Sequence, residues 1–135
     1  FNKNIFVDIK KFKYLNSKNF EISDIKLNIL KGQKIGMIGP SGSGKTHLAV
    51  AVANRCIEQG QTTFFIVASD LLDHLRATYS PETPVTYDEL FDQVRNVPVL
   101  VVDDLSTQTA SPWAQEKLFQ MFRSNFRGQV WRTTV

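Results

Sequence analysis

Eight consecutive residues, Gly39-Pro40-Ser41-Gly42-Ser43-Gly44-Lys45-Thr46, fit the pattern G-x-x-x-x-G-K-[ST] without a mismatch. Residue types at this spacing suit one chemistry, the holding of phosphate oxygens. Glycines let successive backbone N–H groups turn inward on an anion. A helix N-terminus directly after the loop adds positive potential at the same point. Lys45 is then expected to reach the outer phosphates, and the Thr46 hydroxyl to hold Mg²⁺. The flanking residues meet a second requirement: Lys34-Ile35-Gly36-Met37-Ile38 reads as a short apolar strand, and His47 to Asn54 carries a helical pattern. The competing reading, a glycine-rich turn followed by a chance Lys-Thr pair, has no reason to sit between a strand and a helix.

A second cluster lies downstream. Val99-Leu100-Val101-Val102-Asp103-Asp104 is an apolar strand ending in two carboxylates. Such a strand places its carboxylate at the C-terminal edge of a parallel sheet, beside a phosphate loop. Asp103 is expected to hold the hydrated Mg²⁺ bound by Thr46, and Asp104 to polarise an attacking water. The alternative for both aspartates is loop capping. Glutamate is commoner at the second position, and aspartate reaches one methylene less far. Together the parts suit phosphoryl transfer to water, which needs charge neutralisation and a placed water rather than covalent help from the protein. Arg123, Arg127 and Arg132 are available cations, each read more simply as a surface residue.

These groups need a sheet to position them. Ile5 to Ile9, continuing toward Tyr14, and Phe20 to Ile29 alternate and predict an antiparallel hairpin turning at 15–19. From residue 35 onward strands and helices alternate, which predicts a mostly parallel sheet covered on both faces. The helix after the loop should run to about Gln59, with Gly60 ending it. Thr62 to Val67 predicts a buried strand, and Ser69 or Asp70 a cap for a helix through Leu71, Leu72, Leu75 and Tyr79. Thr86-Tyr87-Asp88-Glu89 is a capping box opening a helix to about Arg95. Ser111-Pro112 opens a last helix, expected to turn Trp113, Leu118, Phe119, Phe122 and Phe126 inward and to end at Gly128. Val130 to Val135 predicts a final strand.

Composition sets the outer limits. The 135 residues suit one domain with a real core. No apolar run approaches the roughly 18–20 residues of a membrane span. The only cysteine, Cys56, excludes an internal disulfide and a cysteine zinc cluster, and reads as a small core residue. A reducing cytoplasm is the expected location. Before Ile35 eight lysines stand against Asp8, Glu21 and Asp24, within a net charge of +3. Such a basic segment could attract nucleic acid or an acidic membrane surface, but lysines spread along two strands read more simply as their solvent face and edge protection. After Thr46 the basic residues are arginines apart from Lys117, and valine, alanine and leucine replace isoleucine.

Two family resemblances follow these residues. Residues 39–122, with GPSGSGKTHLAVAVANRCIEQG, LLDHLRATYSPETPVTYDELFDQVRNVPVLVVDDL and SPWAQEKLFQMF, resemble the DnaC-like and IstB-like AAA+ ATPases, the helicase loaders and transposition helpers. Residues 6–46, VDIKKFKYLNSKNFEISDIKLNILKGQKIGMIGPSGSGKT following Phe6, resemble the start of an ABC-transporter ATPase. The first resemblance implies an α/β P-loop NTPase of three αβα layers with a mostly parallel sheet; with the N-terminal antiparallel hairpin, which the second resemblance matches, this gives one truncated domain, an ABC-like hairpin 1–34 and an AAA+-like nucleotide-binding core 35–135. It implies binding of ATP or ADP through Gly39 to Thr46 and His47, Mg²⁺-dependent hydrolysis, and work in replication or transposition as a homo-oligomer with DNA or a replicative helicase. The second implies that Tyr14 stacks on adenine; its competing role is a hairpin core residue. It also implies an alternative function, the ATP-binding subunit of an exporter, although the LSGGQ signature is not in the sequence. A third reading is a nucleotide-binding module with little turnover, because the sensor, arginine finger and lid implied by the first resemblance are not found after Phe126. The change in composition at the loop, together with the first residue being Phe1, predicts a fragment or a join of two coding sequences.

Overall fold

The computed structural model describes residues 4–15, 21–30, 32–105, 111–123 and 129–134. Two strands, β1 (Ile5–Lys13) and β2 (Glu21–Ile29), form the expected antiparallel hairpin as a sheet of their own. A four-stranded parallel sheet follows, built from β3 (Lys34–Ile38), β4 (Thr63–Val67), β5 (Val99–Asp103) and β6 (Gln129–Thr134). Its order is β3-β6-β5-β4. The helices are α1 (Lys45–Glu58), α2 (Ala68–Ala77), α3 (Tyr87–Asn96) and α4 (Pro112–Arg123).

Strand β5 organises the layers. All five of its residues are buried, so its two faces each nucleate a core. Val99 and Val101 face α1 through Ala49, Val52, Ala53 and Cys56, together with Ile5 and Ile29 of the hairpin. Leu100 and Val102 face α2, α3 and α4 through Leu71, Leu75, Val94, Leu118 and Met121. Each large aliphatic side chain sealed in this way contributes about 1.5–3 kcal/mol. The α/β layering is therefore αβα, with the hairpin extending the α1 layer.

The helix boundaries follow local chemistry. The Thr86 hydroxyl accepts from the Glu89 N–H at 3.3 Å, and Glu89 accepts from the Thr86 N–H at 2.9 Å, completing the capping box. Ser111 Oγ accepts from the Ala114 N–H at 3.1 Å, just ahead of Pro112. Gln59 caps α1, and Gly60 follows with φ +75°, a backbone that favours glycine. The Lys34 ammonium donates to the Phe122 carbonyl, tying β3 to the last turn of α4. Lys10, Lys11, Lys13 and Lys26 are exposed, as a solvated strand face requires, and Lys11 pairs with Glu21 at 2.9 Å.

Several expectations change. Strand β4 is an edge, not a buried strand: Phe64 and Phe65 keep 38% and 36% of their surface. Neither Ser69 nor Asp70 caps α2, because the helix springs directly from β4 with Val67 as its N-cap; the Ser69 hydroxyl instead donates to the Asp70 carboxylate. Tyr79 lies beyond α2 and is exposed. On α4 the buried stripe is Ala114, Leu118, Met121 and Phe122, and Phe119 points outward at 59% exposure, because it falls on the helix face opposite that stripe. Residues 16–19 of the expected turn, Phe126, Arg127, Gly128 and Val135 lie outside the described residues.

Candidate functional site

The segment between β3 and α1 forms a tight loop. Gly42 and Gly44 adopt φ +77° and +85°, and Gly44 is the N-cap of α1. A side chain at either position would strain this backbone. No side chain caps α1, and its first turn holds no acidic residue. Its leading N–H groups are thus left for an acceptor from outside the helix, at the positive end of the helix dipole.

Lys45 folds back over this loop. Its ammonium donates to the Gly39 carbonyl at 2.8 Å and the Pro40 carbonyl at 2.9 Å, and lies 3.4 Å from Ser43 Oγ. All three partners are neutral, so an anionic phosphate oxygen is a stronger acceptor for the same charge. Ser41 is exposed on the outer turn of the loop.

The neighbouring residue connects the two clusters seen in the sequence. The Thr46 hydroxyl donates to the Asp103 carboxylate, at 2.9 Å from Oδ2 and 3.2 Å from Oδ1. Asp103 ends β5 and is 8% exposed, the one buried charged residue among those described. β3 and β5 are not adjacent; β6 lies between them. The span from the loop to Asp103 is therefore bridged by side chains above the end of an intervening strand. That strand's register places Thr134 beside Ile38, the last residue before the loop. Asp104 is exposed and has φ +53°, a left-handed backbone that aspartate tolerates better than most residues. The next residue, Leu105, is buried.

An oxygen set of one hydroxyl and one carboxylate fits Mg²⁺, which is held through one or two carboxylates with water and phosphate oxygens completing the shell. No cluster of three His, Cys, Asp or Glu side chains exists among the described residues, so a metal held by protein alone is not the pattern.

The hairpin adds an aromatic group at the start of α1. Phe12 stacks on His47 with centroids 4.5 Å apart and planes at 30°. Tyr14 stands edge-on to both, 5.0 Å from Phe12 and 5.1 Å from His47. Tyr14 is 40% exposed, so it is not a core residue of the hairpin. Sequence reasoning singled out Tyr14 and His47 but missed Phe12. The signal was present, since Phe12 stands two residues before Tyr14 in the sequence. A cleft of about 530 Å³ runs between this group and α1 past Lys10 and Leu48, and a second of about 640 Å³ runs along the loop past Pro40, Lys45 and Glu21. Of the three candidate arginines, Arg123 lies over the exposed Phe119 ring at 5.5 Å; Arg127 is outside the described residues and Arg132 is in β6.

No described helix is long and apolar enough to cross a membrane. Comparison with known proteins agrees with the geometry. A replicative helicase loader DnaC of Buchnera aphidicola subsp. Baizongia pistaciae is 32% identical over 73 residues, covering 54% of this chain and 30% of that protein. A putative ABC transporter ATP-binding protein of Pyrococcus abyssi is 27% identical over 118 residues, covering 81% of this chain and 42% of that protein. A crystal structure of the DnaC helicase loader superposes with a TM-score of 0.64 at 29% identity, covering 77% of this chain and 59% of that one. The chain thus spans under half the length of these curated relatives. A single family model, IstB-like ATP binding protein, matches residues 5–130, running through the loop where the composition changes. The chain belongs to the family of IstB-like ATP binding proteins.

Proposed function

We propose that the chain binds ATP through residues Gly39 to Thr46 and hydrolyses it with Mg²⁺. The observation that carries this reading is the Thr46–Asp103 hydrogen bond at the mouth of the glycine loop. It joins the two sequence clusters that phosphoryl transfer requires, and folding alone gives no reason to bury a carboxylate there. The loop N–H groups and the α1 dipole hold the phosphates. Lys45 exchanges its loop carbonyls for phosphate oxygens and neutralises charge as it develops. Thr46 and Asp103 would hold Mg²⁺, which when bound adds further charge neutralisation on the phosphates. Asp104 orients a water in line with the outer phosphorus and accepts a hydrogen bond from it. Tyr14 and His47 contact the base side of the nucleotide. The hairpin 1–34 and the core 35–135 act as one nucleotide-binding domain.

The family and the helicase-loader relatives support a setting in DNA replication or transposition, with action as an oligomer on DNA or a helicase. A second reading, an ATP-binding subunit of a transporter, draws support from the hairpin and from the match to the Pyrococcus protein, which covers 81% of this chain. The two share the nucleotide chemistry.

The test compares ATP affinity with steady-state hydrolysis in one preparation, beside Lys45→Ala. Micromolar binding lost in Lys45→Ala, with turnover above that variant's, is the expected outcome. Tight binding with turnover no faster than Lys45→Ala would leave a binding module and remove the enzyme.

A further inference from the structure

The hairpin does not alternate regularly. In β1 the inward residues are Ile5, Val7 and Ile9, and then Phe12; in β2 they are Ile29, Leu27 and Ile25, and then Ile22. Both strands step by three where a strand steps by two. The change falls at the same level in each. Pairing runs from Ile5↔Ile29 to Ile9↔Ile25 and resumes at Lys11↔Ser23 in the same register, with the break at Lys10 and Asp24. Asp24 there has φ +55°, far from strand geometry. One left-handed residue thus turns over the face of the distal hairpin without slipping the register.

The consequence reaches the loop. Had alternation continued, Lys11 and Ser23 would face the core side and Phe12 and Ile22 would face solvent. With the turn-over, Phe12 lies on His47, Tyr14 packs edge-on to both rings, and Ile22 and Leu48 line the adjoining cleft. His47 follows Thr46 directly, so this aromatic group stands beside the phosphate cradle.

We propose that Asp24 is a positioning residue for nucleotide recognition: its left-handed backbone turns the hairpin tip so that Phe12 and Tyr14 form, with His47, the platform that takes the base of a nucleotide whose phosphates lie in the loop. This rests on the reading of the loop as an ATP site. The platform recognises the flat ring and leaves the phosphates to the loop. Asp24 acts only through the hairpin tip and touches no ligand.

The experiment measures the affinity of ATP and of inorganic tripolyphosphate, which carries the phosphates without a base, for the full chain and three variants. Asp24→Val places a β-branched side chain where φ is positive and is expected to weaken ATP about tenfold, the scale of one lost base-stacking contact, while leaving tripolyphosphate unchanged. Asp24→Gly accepts the same backbone and retains both affinities. Phe12→Leu removes the ring alone, reproduces the selective loss of ATP, and decides the matter if Asp24→Val does not fold. Equal losses for both ligands, or unchanged ATP affinity in Asp24→Val and Phe12→Leu, would overturn the proposal. So would a loss in Asp24→Gly matching that in Asp24→Val. Wild-type protein that binds neither ligand would remove the loop reading itself, and the platform with it.

Discussion

Replacing Thr46 by valine keeps the shape of the side chain and removes only the hydroxyl, so it isolates the contact on which the functional reading turns. Without ligand, Asp103 loses a donor 2.9 Å away while remaining 8% exposed. A hydrogen bond to a charged group contributes about 1.5–3 kcal/mol. Thr46 itself is exposed, which favours the lower end. At an unfolding entropy of about 2.1 cal/mol/K per residue, 135 residues give about 0.28 kcal/mol per degree. A cost of about 1.5 kcal/mol then lowers the melting temperature by about 5 °C. Ligand adds a separate arm. In wild type, ATP with Mg²⁺ at a hundred times its Kd should add about 2.7 kcal/mol, or about 10 °C. In Thr46→Val the part of that increment abolished by EDTA should disappear, while the part ATP gives alone persists through Lys45 and the loop. Differential scanning calorimetry reads both proteins without ligand, with ATP and Mg²⁺, and with ATP and EDTA. An unchanged melting temperature without ligand would refute the energetic argument. A Mg²⁺-dependent increment equal to that of wild type would refute the assignment of Thr46 to the metal.

Three further outcomes are expected. Thr86→Ala removes the α3 cap and should cost about 1 kcal/mol, measured by urea denaturation. Hydrogen bonds from the Thr86 backbone and side chain hold the Glu89 pKa below its ordinary 4.5. A depressed carboxylate contributes stability above its unfolded pKa and loses it as pH falls through the lower folded value, so acid unfolding curves should show that loss in wild type and less of it in Thr86→Ala. Burial pushes the Cys56 thiol up to about 11; a thiol-labelling reagent at pH 8 should react at the rate of unfolding, and rapid stoichiometric labelling of folded protein would contradict its complete burial. Leu75→Ala empties a fully buried position between α2 and β5 and should cost about 2–5 kcal/mol, read by the same denaturation assay.

What the sequence disclosed was what local chemistry decides. The glycine loop, the Thr86–Glu89 box, the Ser111 cap and the apolar strand ending in Asp103 each carry their cause within a few residues, and each stands where expected. The meeting of Thr46 with Asp103 was legible too, because a phosphate loop and a strand-end carboxylate share one edge of a parallel sheet. Sheet order was not legible. Whether β4 is central or an edge depends on which crossover packs where, and Phe64-Phe65 reads as equally apolar in both cases. The α2 start was misread because Ser69 and Asp70 are good caps in isolation, whereas the chain enters the helix two residues earlier. Phe119 was misplaced because a helix rich in apolar residues offers more candidates than its buried stripe accepts. The step of three from Ile9 to Phe12, matched by Ile25 to Ile22, is present in the sequence but is hidden when the whole of each segment is taken as alternating.

The position of β6 between β3 and β5 governs the order in which this protein can assemble. β4 and β5 can pair early, and α1 can coil as soon as it is made. β3, among the described strands, is hydrogen-bonded to β6 alone, and β6 is separated from it in sequence by β4, β5 and all four helices. Until β6 inserts, the loop-bearing strand has no strand partner and reaches the Asp103 strand only through the packing of α1 on β5, and closing so long a loop is slow. On a ribosome the glycine loop emerges long before the strand that fixes it against Asp103. Capture of a phosphate-bearing ligand that needs both therefore waits on β6, and its appearance in time would report that strand's arrival.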